Sequence, residues 1–213
     1  MNASPEDQVK PPRRWTQRSD SRRAMQAAHT RAALISAARE LFAARGFHGV
    51  GIRDITARAG VSRGTLSHHF TDKEALFLAV FEAVEDELMS AGASTPASPS
   101  DPWISFRKSI QLYLDAAAIR LDVQRITLVD GPAVLGWPRW RKLEEGYSLG
   151  ALKAVLDAAM DAGSIRKRST EPLAHLILGS VMEAALLIAN SEDPATSRAG
   201  VGEALDDLLR GLE

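Results

Sequence analysis

From Arg31 onward, apolar residues recur three and four positions apart: Leu34, Ile35, Ala38, Leu41 and Phe42 share one face. That is the period of an amphipathic helix, and Gly46 closes it. A short loop, "FHGVG", leads to "IRDITARAG", where Ile52, Ile55 and Ala59 line one side before Gly60 stops the helix. "VSRGTLSHHF" follows, with Ser62 in the position of an N-cap. "TDKEALF" reads as a capping box, Thr71 at the cap and Glu74 three residues on. It opens a long helix through Leu76, Phe77, Val80, Phe81, Val84 and Leu88.

"ASTPASPSDP", Ala93 to Pro102, is a Pro/Ser-rich break and the clearest linker in the chain. The helical pattern then resumes. Trp103 to Leu121 carries Ile104, Ile110, Leu114 and Ile119, and a short segment, Val123 to Val129, stops at "DGPAVLGWP". Arg139 to Ala162 closes at Gly163, Pro172 to Asn190 starts behind Thr170, and a last helix runs roughly from Pro194 to Leu212. No run alternates residue by residue as a strand would. The pattern predicts an all-α protein of about nine helices.

Charge divides the chain more sharply than its net of −1 suggests. Residues 1–75 carry 13 Lys/Arg against 7 Asp/Glu, a net of +6, and four of the five histidines; the remainder carries a net of −7. A basic third of this kind suits a polyanion. Residues 1–27, built around "KPPRRWTQRSDSRR", read as a basic flexible arm. Arg13, Arg14, Arg18, Arg22 and Arg23 could follow phosphates or enter a minor groove, or the arm could be a tail without function. The predicted domains are this arm, a basic head over 28–75, and a helical body over 76–213. There is no cysteine, which excludes disulfides and thiolate metal sites. No apolar stretch follows the basic N-terminal residues as in a secretory signal, and the longest apolar run, Leu176 to Ala189, is interrupted and short for a bilayer. The expectation is a cytoplasmic protein.

Two short helices joined at Gly60 and Val61 make a helix-turn-helix, in which the first helix crosses the DNA backbone and the second enters the major groove. Arg53 and Thr56 on the first helix are candidates for backbone contact. On the second, with Leu66 as the core direction, Phe70 lies about 40° and His69 about 60° away, while Gly64 and His68 lie about 160° away. Arg63 sits at a shoulder, within reach of a guanine edge or a phosphate. Ser62, Thr65 and Ser67 flank the outward face, and Gly64 lets the backbone approach DNA closely. His68 and His69 are adjacent and diverge by about 100°, unlike the i, i+4 pair of a helical metal site. The expectation is no metal and no cofactor.

"RDITARAGVSRGTLSHHFTDKEALF", with "AARELFAARGF" before it, resembles the DNA-binding domain of the tetracycline-repressor (TetR) family over roughly Thr30 to Ala79. "QRITLVDGPAVLGWPRW" resembles one subgroup of the family's C-terminal bodies. The resemblance implies a three-helix head and an all-α body that binds a ligand and dimerises. Arg63, Gly64, Thr65, His69, Phe70 and Lys73 match the family's pattern, and Lys73 corresponds to its common phosphate-binding lysine. Two positions depart from it. Ser67 stands where a phosphate-gripping tyrosine is usual, and Gly51 where a Ser or Thr usually caps the second helix.

The expected function is a ligand-responsive regulator: a repressor that binds a palindromic operator as a homodimer and is released by a small-molecule effector. An activator with the same head is one alternative; a helical ligand-binding protein or enzyme with a vestigial head is another. None of the common sequence signatures of an enzyme is present. Phe106, Tyr113, Trp137, Trp140, Tyr147 and His175 are candidate effector-lining residues, each of which could equally be core or interface. The last two helices are the expected dimer face, with Gly179, Ser180, Ala184 and Ala185 among Leu176, Ile177, Val181, Leu187 and Ile188, against Val201, Leu205, Leu208 and Leu212.

Overall fold

The computed structural model describes residues 13–93 and 101–213. Nine α-helices and one π-helical segment account for nearly all of them, with no strand among the described residues. In order these are α1 (Arg13–Arg45), α2 (Ile52–Ala59), α3 (Arg63–His69), α4 (Lys73–Ala93), α5 (Pro102–Ile119), the π segment (Val123–Asp130), α6 (Gly131–Leu135), α7 (Trp137–Asp161), α8 (Thr170–Ala189) and α9 (Pro194–Arg210). The all-α expectation holds. The linker's residues 94–100, and residues 1–12 of the expected arm, lie outside the described residues.

From Arg13 the expected flexible arm is helix, continuous with α1. Arg, Gln, Met and Ala are strong helix formers, and no Gly or Pro interrupts the stretch from Arg13 to Arg45. Residues 21–29 are exposed, so this extension rests on propensity rather than packing. The cap of α4 also differs from expectation. Asp72, not Thr71, caps it, its Oδ1 accepting the Ala75 N–H at 2.7 Å.

The head packs α1, α2 and α3 around Leu34, Phe42, Val50, Ile55, Leu66 and Phe70, closed by Leu76 and Phe77 from α4. Phe42 meets Phe77 edge-on at 5.5 Å, and Phe47 meets Phe77 at 5.2 Å, a geometry that aligns ring edges with ring faces. The body begins within α4, so residues 75 and 76 lie in one unbroken helix. Its core runs on through Phe81, Val84, Trp103, Leu114, Ile126, Trp140, Leu156 and Ile188.

The segment expected to stop at "DGPAVLGWP" instead widens into the π segment and passes directly into α6. Pro132 has no N–H to offer the carbonyl of Thr127 five residues back. Trp140 replaces it, Nε1 donating to Thr127 O at 2.8 Å. Gly131 permits this, since a Cβ there would stand 3.0 Å from Trp140 Cδ1 and 3.1 Å from Ile126 O.

α8 is long and apolar enough by composition to cross a membrane, with a mean hydropathy of 1.8. Its length therefore does not separate it from a spanning helix, as the interrupted run in the sequence suggested. On one side it packs into the body: Leu173, Ala174, Ile177, Leu178, Met182, Ala184, Ala185 and Ile188 are buried against neighbouring helices.

Candidate functional site

The turn between α2 and α3 is built by Gly60 at φ 68, ψ 30, a left-handed conformation that a side chain would strain. Gly60 N–H donates to Ala57 O at 3.3 Å and Val61 N–H to Thr56 O at 3.0 Å, the paired closure of a Schellman motif. Gly51 caps α2 without a side chain, and Asp54 Oδ2 accepts its N–H at 2.9 Å. Ser62 caps α3 as its position predicts, Oγ accepting Thr65 N–H at 3.1 Å and lying 2.9 Å from Thr65 Oγ1.

Leu66 and Phe70 are buried beneath α3, and the Arg31 guanidinium lies 5.1 Å above the Phe70 ring. Ser62, Arg63, Gly64, Ser67 and His68 are exposed, Thr65 and His69 half-buried. The surface facing away from the head is thus basic, hydroxylated and narrow. The His68 and His69 rings meet edge-to-face at 5.4 Å. Divergence at the backbone does not keep two flexible imidazoles apart, so the pair are neighbours after all.

Two expected contacts are placed differently. Thr56 is buried, and its hydroxyl donates to Arg53 O at 3.1 Å, which withdraws it from the outer face while Arg53 stays exposed. Lys73 is committed to the head itself. Its Nζ donates to Phe47 O and Val50 O, each at 3.0 Å, and lies 4.0 Å from the Phe47 ring centroid. It straps the first turn of α4 to the loop between α1 and α2.

Head and body are joined by charge. Arg39 on α1 donates through Nε to Asp122 at 2.8 Å and through Nη2 to Glu87 on α4 at 2.7 Å. Arg120 reaches the same two carboxylates at 2.9 and 3.0 Å. Burial opposes charge on Asp122, but the hydrogen bonds and positive charge of Arg120 and Arg39 outweigh it and hold that carboxyl down at about 2.

In the body, the candidate ligand residues separate. Trp140 is fully buried and bonded, hence core; Trp137 is 54 % exposed and packs on it at 4.9 Å. Phe106 stacks on Trp103 at 5.5 Å. His175 sits at the surface between Glu171 at 3.4 Å and Glu145 at 3.8 Å. Tyr113 and Tyr147 both feel the charge of two carboxyls that the sequence reading missed, Glu85 and Glu144, each buried. Burial raises Glu85 to about 7, helped by Asp86, and raises Glu144 well above the carboxylate range, helped by Glu85. Burial also keeps the Tyr113 phenol protonated far beyond its usual range and raises Tyr147 to about 12. The signal was present: Glu85 falls four residues after Phe81 and Glu144 four after Trp140, on apolar stripes. An open groove of about 370 Å³ beside Tyr147 is bordered by Arg139, Lys142, Leu143 and Gly146. A larger one, about 490 Å³, lies between α5 and α9 and holds none of the candidates.

A basic helix-turn-helix head on a helical body with a polar centre defines a DNA-binding regulator. The comparisons agree. Residues 34–80 match the family described as bacterial regulatory proteins, tetR family, and residues 103–212 match the tetracyclin repressor-like C-terminal domain. A solved TetR-family transcriptional regulator from Pectobacterium atrosepticum is 35 % identical, with a TM-score of 0.77 over 88 % of this chain and 96 % of that one. The transcriptional regulator RutR of Escherichia coli is 30 % identical over 68 % of this chain and 67 % of its own. The transcriptional repressor AcnR of Corynebacterium efficiens is 28 % identical over 73 % and 79 %. The chain belongs to the TetR family and is a DNA-binding transcriptional regulator.

Proposed function

We propose that the protein is a cytoplasmic homodimeric repressor that grips a palindromic operator with two copies of α3 and releases it when a small molecule enters the body. The observation that carries this is the outward face of α3, with its neighbour Arg53. Arg63, Gly64, Ser67 and His68 are exposed and free of the core, on a helix seven residues long whose inner face is fixed by Leu66 and Phe70. Arg63 and His68 read base edges or phosphates, Ser62, Thr65 and Ser67 bond phosphates, and Gly64 admits the backbone. His69, half-buried, props His68 and reaches the neighbouring phosphate. AcnR, a repressor by name, supports the sign of regulation.

Dimerisation is supported by Leu176 and Leu187 on α8 and Leu208 on α9, which are 70 %, 53 % and 54 % exposed. Ile177, Ala184, Ala185, Ile188 and Leu205, expected at that face, are buried inside the protomer. A two-fold pair would set two reading helices about 34–36 Å apart, on successive major grooves.

The test is a mobility shift against the DNA upstream of the protein's own gene across a salt series. Binding as a dimer with a steep negative salt slope is expected. A folded dimer that binds no DNA at low salt would remove the reading.

A further inference from the structure

Two carboxyl groups lie where the fold gives them no partner. Glu85 on α4 is 4 % exposed and Glu144 on α7 is 5 % exposed, and Oε1 of each has no hydrogen-bond partner. A buried acceptor left unpaired is among the least favourable arrangements a core can contain. Arg141, one turn before Glu144 on α7, donates to Glu145 at 3.1 Å. The two groups are close enough for the charge of Glu85 to disfavour charge on Glu144. Tyr113 on α5 and Tyr147 on α7 feel both of them. Glu85 on α4, Tyr113 on α5, and Glu144 and Tyr147 on α7 thus lie within one another's electrostatic reach. Glu82, half-buried, and Asp86, exposed, extend the negative field along α4 past Tyr147 to the surface.

Resting on the ligand-responsive reading above, we infer that Glu85 and Glu144 anchor the effector and that the effector is an organic cation, an ammonium or amidinium group on an apolar body. A cation placed beside them favours their ionised form, whose oxygens only accept hydrogen bonds, and its N–H groups supply the donors that both Oε1 atoms lack. Tyrosine faces attract the same charge. The body's net charge of −7 favours approach of a cation; Arg139 and Lys142 border the groove beside Tyr147, but an anion passing them would meet the field of Glu82, Glu85, Asp86 and Glu144. A bare divalent ion fits less well, because hard cations take six or more oxygens and no group of three or more metal-holding residues occurs among the described residues. Occupancy would also reach the head. Glu85 shares α4 with Glu87, which ties to Arg39 of α1, and with Lys73, which ties to the α1–α2 loop.

The test is isothermal titration of the intact protein with matched probes: benzamidine against benzamide, phenethylammonium against 2-phenylethanol, and magnesium chloride alone. Saturable binding of at least one cation, at least tenfold tighter than its neutral counterpart, is expected, with Glu85→Gln and Glu144→Gln each weakening it tenfold or more. The paired comparison on the unaltered protein needs no variant to fold; circular dichroism establishes folding of the two variants. Equal binding of the neutral probes, no binding of either organic cation, preference for magnesium, or undiminished binding in both folded variants overturns the inference. A mobility shift on the same samples keeps the two readings apart. Operator binding without cation selectivity sinks the cation alone, whereas cation binding without operator binding sinks the regulator alone.

Discussion

The carboxylate of Asp130 accepts the backbone N–H of Phe47 at 2.6 Å, across 83 residues of sequence. Asp130 ends the π segment, and Phe47 lies in the loop between α1 and α2. Lys73 grips the carbonyl of the same Phe47 from α4. The body therefore holds the head at one residue by two routes, one through the π segment and one through α4.

Loosening the first of those routes should uncouple effector from operator. Asp130→Ala removes the acceptor and is expected to cost about 1–3 kcal/mol of stability. It should also reduce the effector's influence on operator affinity by about 0.5–2 kcal/mol. Asp130→Asn keeps an oxygen for the Phe47 N–H and should keep most of the coupling. Operator titrations with and without effector measure this; full coupling in a folded Asp130→Ala protein would leave it to α4 and the Arg39–Asp122 pair.

His68 and Lys73 should separate DNA contact from architecture. His68 is exposed, so His68→Ala should weaken operator binding and leave the melting temperature unchanged. Lys73→Ala strips donors from Phe47 O and Val50 O and should cost about 1.5–3 kcal/mol of stability, a drop of several degrees. Melting curves and mobility shifts on both variants decide. Unchanged stability in Lys73→Ala would return that residue to the DNA.

The helices and the reading head were legible because each rests on local signals: the 3.6-residue period, Gly60 at the turn, Ser62 at the cap. What the sequence hid was long-range. Thr56 reads as polar and exposed until its hydroxyl folds back on Arg53 O. Trp140 reads as a ligand-lining aromatic until Thr127 claims its indole N–H. The π segment follows from Pro132 meeting a tryptophan that arrives from α7, a pairing no periodicity encodes. Glu85 and Glu144 are the intermediate case, visible as carboxyls on apolar stripes though only the packing shows both buried with an unpaired oxygen.

The same carboxyls should give the protein an unusual pH profile. Glu85, usually near 4.5, is raised to about 7, and Glu144 is raised with it. Between those values the folded protein holds protons that the unfolded chain has released, so stability falls as pH rises through about 7. Asp122, lowered to about 2, acts oppositely: its contribution is present above 3.8 and is lost as pH falls through 2. Denaturant melts from pH 3 to 8.5 should therefore show greatest stability on the acid side of neutral. Glu85→Gln should flatten the alkaline limb, and a decline of the same steepness in that variant would place its origin elsewhere.

The dimer face can be tested without DNA. Leu176, Leu187 and Leu208 project from α8 and α9 while their neighbours Ile177, Ile188 and Leu209 face inward. Burying a leucine is worth about 1.5–3 kcal/mol, and in a two-fold interface each substitution counts twice. Leu176→Asp combined with Leu208→Asp should therefore raise the dimer dissociation constant by at least a hundredfold, leaving a monomer whose helical signal is intact. Such a monomer presents one reading helix instead of two and should lose most of its operator affinity. Light scattering and sedimentation measure the first effect and a mobility shift the second. A double variant that stays dimeric at micromolar concentration would move the interface off α8 and α9. One exposed set that remains, Leu112, Ile119 and Leu121 near the far end of α5, would then be the next surface to alter.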